Sequence, residues 1–133
     1  MKKDIIIPQI DGVSLAVVHE FSEVHRTMDW NVYLINENDF DLEMIMITSS
    51  GWNGDVKTSE MKHKLAVLPQ NGYAKIEYML DTILEVMNSK FFVTFFANNK
   101  MYEKTFIVKK NTVKESTIST IKALGKKGVQ IKG

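Results

Sequence analysis

The sequence has no cysteine, two prolines and a single arginine, Arg26. The first absence removes disulfides, thiolate metal ligands and a cysteine nucleophile together. It also fits a reducing compartment, so the cytoplasm is the expected location. Arginine supplies the bidentate fork that reads phosphates and guanine edges, and its scarcity argues against specific nucleic-acid recognition. No apolar run approaches a membrane span. The Met1–Pro8 segment holds only three isoleucines after its lysines, too few for the apolar stretch of a secretory leader. No glycine-rich phosphate loop, G-x-S-x-G or H-E-x-x-H occurs, so no known motif announces an enzyme, and neither a cofactor nor a metal is expected.

What is present is an ordinary globular composition: 133 residues, 44% apolar and 25% charged. That length suits one core, and residues 1–133 are expected to form a single β-rich domain. The net charge of +1 hides an uneven distribution. Residues 100–133 carry nine lysines against Glu103 and Glu115, whereas residues 1–99 carry eight basic and fourteen acidic side chains. A solvated lysine-rich face balanced by the acidic part of the fold accounts for this, and so does a basic surface that meets an acidic partner.

Period-two alternation dominates and predicts strands. Val13–Phe21, Trp30–Ile35, Leu42–Thr48, Lys64–Leu68 and Tyr73–Met79 all read this way. Asn36-Glu37-Asn38-Asp39 suggests a turn that pairs residues 30–35 with 42–48 as a hairpin, because Asn and Asp accept left-handed backbone and bond it locally. Ser49–Asp55, with Gly51 and Gly54, reads as a loop carrying Trp52. Leu80, Ile83, Leu84 and Met87 recur at helical spacing, with Asp81 placed to cap. Phe91–Ala97 and Met101–Val108 form the plainest hairpin, joined through Asn98-Asn99, which suits a type I′ turn. Thr112-Val113-Lys114-Glu115 matches a capping box, followed by Val113, Ile118, Ile121 and Leu124 on one face as far as Gly125, so a C-terminal helix is predicted. Val129–Ile131 reads as a last edge strand. The expected fold is all-β or β-rich α+β: an antiparallel, immunoglobulin-like β-sandwich with a short crossover helix and a C-terminal helix. A single sheet backed by helices is the alternative.

The candidate contact residues are Trp52, Lys62, His63, Phe92 and Phe96. In Phe91–Phe96, Phe91 and Phe95 fall on one face of a strand and Phe92 and Phe96 on the other, which suggests burial on both sides or an exposed aromatic strip that meets a partner. Trp52 on a loop must fold back or anchor something else. His19, His25 and His63 show no metal-ligand spacing. Asn36, Asn38, Asp39, Asp41 and Glu43 lack the glycine and the twelve-residue spacing of a calcium loop.

Asp29–Asn36, Asp41–Met44, Met61–Leu65 and Lys109–Thr112 together resemble a group of small uncharacterised bacterial proteins whose members often carry the label phenylalanyl-tRNA synthetase alpha subunit. The resemblance spans most of the chain. It implies no catalytic role, because a class II synthetase core needs arginines for ATP and the acyl-adenylate, and Arg26 sits in no such context. An accessory piece is the most it implies. The leading functional expectation is a non-enzymatic cytoplasmic binding or assembly module that meets a protein partner or a second copy of itself. A ligand-binding or enzymatic site near residues 51–63, drawing on Glu60, Lys62, His63 and Trp52, is the alternative. An RNA-associated accessory protein using lysines 109, 110, 114, 122, 126 and 127 is the weaker one.

Overall fold

The computed structural model describes residues 10–133, and the Met1–Pro8 segment discussed above lies outside the described residues. The alternating segments become ten strands: β1 (Val13–Ser22), β2 (Thr27–Asn36), β3 (Leu42–Asn53), β4 (Val56–Lys57), β5 (Met61–Leu68), β6 (Gly72–Met79), β7 (Asn88–Ala97), β8 (Lys100–Val108), β9 (Ser119–Ile121) and β10 (Lys126–Ile131), with one short helix, α1 (Asp81–Val86). They form two antiparallel sheets. The first runs β6-β2-β1-β10-β9. The second runs β4-β3-β7-β8, with β5 also pairing β3.

Alternate residues of both sheets meet in one apolar cluster. Val13, Leu15, Val17, Trp30, Val32 and Leu34 come from the first sheet, and Ile45, Ile47, Phe91, Val93, Phe95 and Phe106 from the second. Phe91, Phe95 and Phe106 are fully buried there, each contributing about 1.5–3 kcal/mol of transfer free energy. A second cluster lies on the opposite face of the first sheet, where Ile121 and Leu124 cover Ala16, Val18, Tyr33 and Ile35. The centre of the first sheet is therefore covered on both faces, while Tyr73 and Tyr78 of β6 remain about half exposed at the edge of the outer one.

The Phe91–Val108 hairpin forms as the sequence predicts. Ala97 lies opposite Lys100, and Asn98 and Asn99 both take positive φ, at 51° and 64°. The hairpin expected over residues 30–48 does not form. β2 pairs with β1 and β6 in the first sheet, while β3 begins the second. The Asn-rich stretch is a corner between sheets, held by the buried Asn36. Its Nδ2 donates to the carbonyls of Phe40 (2.9 Å), Leu68 (3.2 Å) and Pro69 (3.1 Å), and its Oδ1 accepts from Asn38. Gly12 closes over this corner with φ of 84°, and a Cβ there would sit 2.6 Å from the Asn38 side chain.

The C-terminal helix is also absent. A single 3-10 turn at Glu115–Thr117 is followed by β9 and β10. Thr112, Val113, Thr117, Ile118, Thr120 and Ile121 are β-branched and weak helix formers. Val113 joins the main core whereas Ile121 and Leu124 cover the far face of the first sheet, a division one helical stripe cannot make. The Thr112 hydroxyl donates to the Lys109 carbonyl instead of capping, and Thr117 Oγ1 accepts the Lys114 N–H. β10 is not an edge strand either, since Gly128 lies between Val18 and Ser119. A Cβ at Gly128 would collide with the Val17 carbonyl, so only glycine allows that pairing. The crossover helix does form, but Leu80 occupies its N-cap with no side-chain hydrogen bond, and Asp81 is its first residue.

Candidate functional site

Strand pairing decides which of the candidate residues share a surface. Lys62 lies opposite Thr48, Thr48 opposite Phe92, and Phe92 opposite Thr105. In the same direction, Lys64, Met46, Thr94 and Glu103 form the next row, and Phe96 stands across from Met101. These residues point away from the shared core, because Phe91, Val93 and Phe95 alternate with them and are buried. Trp52 belongs to the same outer face. It sits in β3, opposite Lys57 and Asn88, and not in the loop expected for residues 49–55.

Four of the five candidates thus come together on the outer face of the second sheet. His63 does not: it lies opposite Ile47 on the inner side. Glu60 precedes β5 and is exposed. The outer face is rich in uncovered apolar residues: Met44 is 68% exposed, Met46 45%, Met101 45%, Phe96 39% and Ile107 38%. Met44 was not anticipated. It lies where the β3–β7 register shifts, with φ of 49°, a β-bulge that turns its side chain outward. Lys57, Lys62, Lys64 and Lys90 surround this surface, against Glu43 and Glu103.

A second feature lies where β5 and β6, edge strands of different sheets, diverge ahead of α1. A cleft of about 440 Å³ opens there, with Phe91, Met79, Ile83, Leu80, Met61 and Tyr78 among its walls. Glu77 enters it from β6. Its Oε1 accepts from Ser49 Oγ (2.6 Å) and pairs with His63 Nε2 (2.8 Å). Serine and imidazole therefore meet the same carboxylate oxygen and not each other. Ser49 and Glu77 lie 28 residues apart, and neither carries a sequence signal for this meeting.

The other histidines are engaged elsewhere. His19 stacks on Trp30 with ring centroids 4.1 Å apart, and His25 Nδ1 pairs with Asp29 Oδ2 at 2.6 Å. The lysines proposed above for RNA are partly committed too: Lys126 Nζ donates to Glu20 Oε1 at 2.9 Å and Lys110 Nζ to Asn53 Oδ1 at 3.4 Å. Glu20 also accepts from Tyr33 and Asn31. Burial would raise its pKa, but the bonds from Tyr33, Lys126 and Asn31 outweigh that and hold it below the ordinary glutamate value.

Among the described residues no helix is long and apolar enough to cross a membrane. No protein-family model matches the chain, and no curated protein matches its sequence.

Proposed function

We propose that this chain is a non-enzymatic cytoplasmic binding module built as an immunoglobulin-like β-sandwich, and that it docks an acidic protein partner on the outer face of its second sheet. The fold reading rests on strand order. β2 lies between β1 and β6 in one sheet and β7 between β3 and β8 in the other, as the B and F strands do between A and E and between C and G in immunoglobulin-type sandwiches. The β-branched final strands and the absent cysteines are departures within that architecture.

The observation that carries the function is an asymmetry between two outer faces. The chain covers the centre of the first with its own Ile121 and Leu124, leaving Tyr73 and Tyr78 half exposed at one edge. It leaves the second bare, with methionines and Phe96 exposed. Flexible, polarizable methionines beside aromatics suit a protein interface. The lysine excess around them favours a partner that brings carboxylates over a second copy, whose matching face would set lysine against lysine. The cysteine-free composition supports the cytoplasmic placement. The shared carboxylate oxygen at Glu77 favours binding over catalysis, since His63 does not contact the Ser49 hydroxyl it would have to deprotonate.

The test compares the wild type, the double variant Met46→Glu/Phe96→Glu, and Lys122→Glu on the opposite side as a control. A protein captured by the wild type is purified and titrated against all three. The expected result is equal binding to the wild type and control, binding at least about tenfold weaker to the double variant, and weakening with added salt. Equal binding by the double variant overturns the proposal. So does a self-association of the purified chain that the double variant abolishes, which would assign the face to a second copy.

A further inference from the structure

We infer that the cleft between β3, β5 and β6 is a binding site for a small apolar molecule that carries a protonated amine. This inference does not depend on what docks against the outer face, which lies on the other side of the second sheet. Its volume of about 440 Å³ falls in the range of small-molecule pockets, and its walls are mostly apolar with a few converging polar groups.

Two of those groups define the ligand. Glu77 lines the cleft and its side chain is only 11% exposed. Ser49 and His63 both use Oε1, so among the described residues Oε2 meets no protein donor and is reached by solvent, on a side chain that lines the cleft. Ser89, also lining the cleft, is 5% exposed, and among the described residues its hydroxyl has no protein partner while not being fully buried. A buried serine and a carboxylate oxygen left open in an apolar hollow call for a ligand that donates hydrogen bonds and carries positive charge. A carboxylate or phosphate would be repelled by Glu77. Phe91, Ile83 and Met79 would cover the hydrocarbon part, with Tyr78, Leu80 and Met61 at the exposed mouth.

The ammonium would donate to Glu77 Oε2 and Ser89 Oγ, with no covalent step. The test uses a matched pair of probes, 2-phenylethylamine and 3-phenylpropionate, titrated into the intact protein and followed by amide chemical shifts and calorimetry. The amine is expected to shift the amides of residues 49–51, 77–80 and 89–91 saturably, and the acid to leave them unchanged. Glu77→Gln should weaken amine binding by about tenfold or more. Should Glu77→Gln fail to fold, Ile83→Trp fills the hollow from α1 without touching the carboxylate and should also abolish binding. Equal binding of amine and acid, amine binding unchanged in Ile83→Trp, or no saturable shift with either probe overturns the inference.

Discussion

Replacing Asn36 with alanine removes the side chain that turns the chain from one sheet to the other. Asn36 is fully buried, and its amide hydrogens serve three carbonyls, those of Phe40, Leu68 and Pro69, while its oxygen accepts from Asn38. Two N–H hydrogens and one oxygen cannot be credited with five independent bonds. Counting about 1 kcal/mol for each of three, and adding the cost of carbonyls left without partners inside the fold, gives a loss of roughly 3–4 kcal/mol. That is a large share of the roughly 5–15 kcal/mol by which a domain is stable, and it lowers Tm by roughly 10–20 °C. Urea unfolding followed by tryptophan fluorescence measures it, because Trp30 is 5% exposed in the shared core. Asn36→Asp should be worse than Asn36→Ala, since it sets a carboxylate against three carbonyl oxygens at nearly constant shape. A loss below about 1 kcal/mol for the alanine variant, or an aspartate tolerated better than alanine, refutes the assignment of Asn36 as the corner's anchor.

Glu20 has a depressed pKa in the folded chain, so its contribution is present above the ordinary glutamate value of 4.5 and is lost as pH falls through the lower folded value. Glu20→Gln should therefore flatten the acid limb of a stability–pH profile measured by urea denaturation. Lys104 extends between the sheets, where its Nζ donates to the carbonyls of Ile10 (3.3 Å), Val13 (3.2 Å) and Lys132 (3.1 Å). Burial holds its pKa below the ordinary lysine value, with Asp11 partly opposing. Lys104→Met should cost about 2 kcal/mol by equilibrium unfolding and raise hydrogen exchange at the start of β1. Asn99→Gly puts the residue best suited to positive φ at the second turn position of the β7–β8 hairpin, where φ is 64°. It should raise stability by a few tenths of a kcal/mol in a thermal melt, since β-turn propensity here outweighs the added chain entropy.

The periodicity of single strands was legible because each strand buries one face against the core, which is a local property. The partner of each strand was not. Asn36–Asp39 has the composition of a hairpin turn, and what makes it a sheet-to-sheet corner is that Asn36 reaches the Leu68 and Pro69 carbonyls, more than thirty residues away in sequence. The C-terminal segment failed for a related reason. Val113, Ile118, Ile121 and Leu124 fit a helical stripe by spacing, yet they serve two apolar clusters on opposite sides of the first sheet. Their β-branched neighbours were the signal against a helix, and capping-box spacing concealed it.

The candidate sites divide along the same line. Phe92 and Phe96 could be placed on one face from the alternation of Phe91–Phe96 alone, but whether that face is covered depends on where the last twenty residues go. Had residues 112–125 formed a helix, it could have lain over either sheet. Instead, β9 and β10 extend the first sheet, Ile121 and Leu124 pack with Ala16, Val18, Tyr33 and Ile35 on its outer side, and nothing from this segment shields the second sheet. The bare face with Met44, Met46 and Phe96 is thus a consequence of the same C-terminal strands that displaced the expected helix. Glu77 and His63 show the converse. β5 and β6 are joined by a tight turn, yet the two strands enter different sheets, so their inward side chains face each other across the core's open edge. A carboxylate at that edge is stabilised by Ser49 and His63 on one oxygen, and the divergence that brings the three together also opens the cleft beside them.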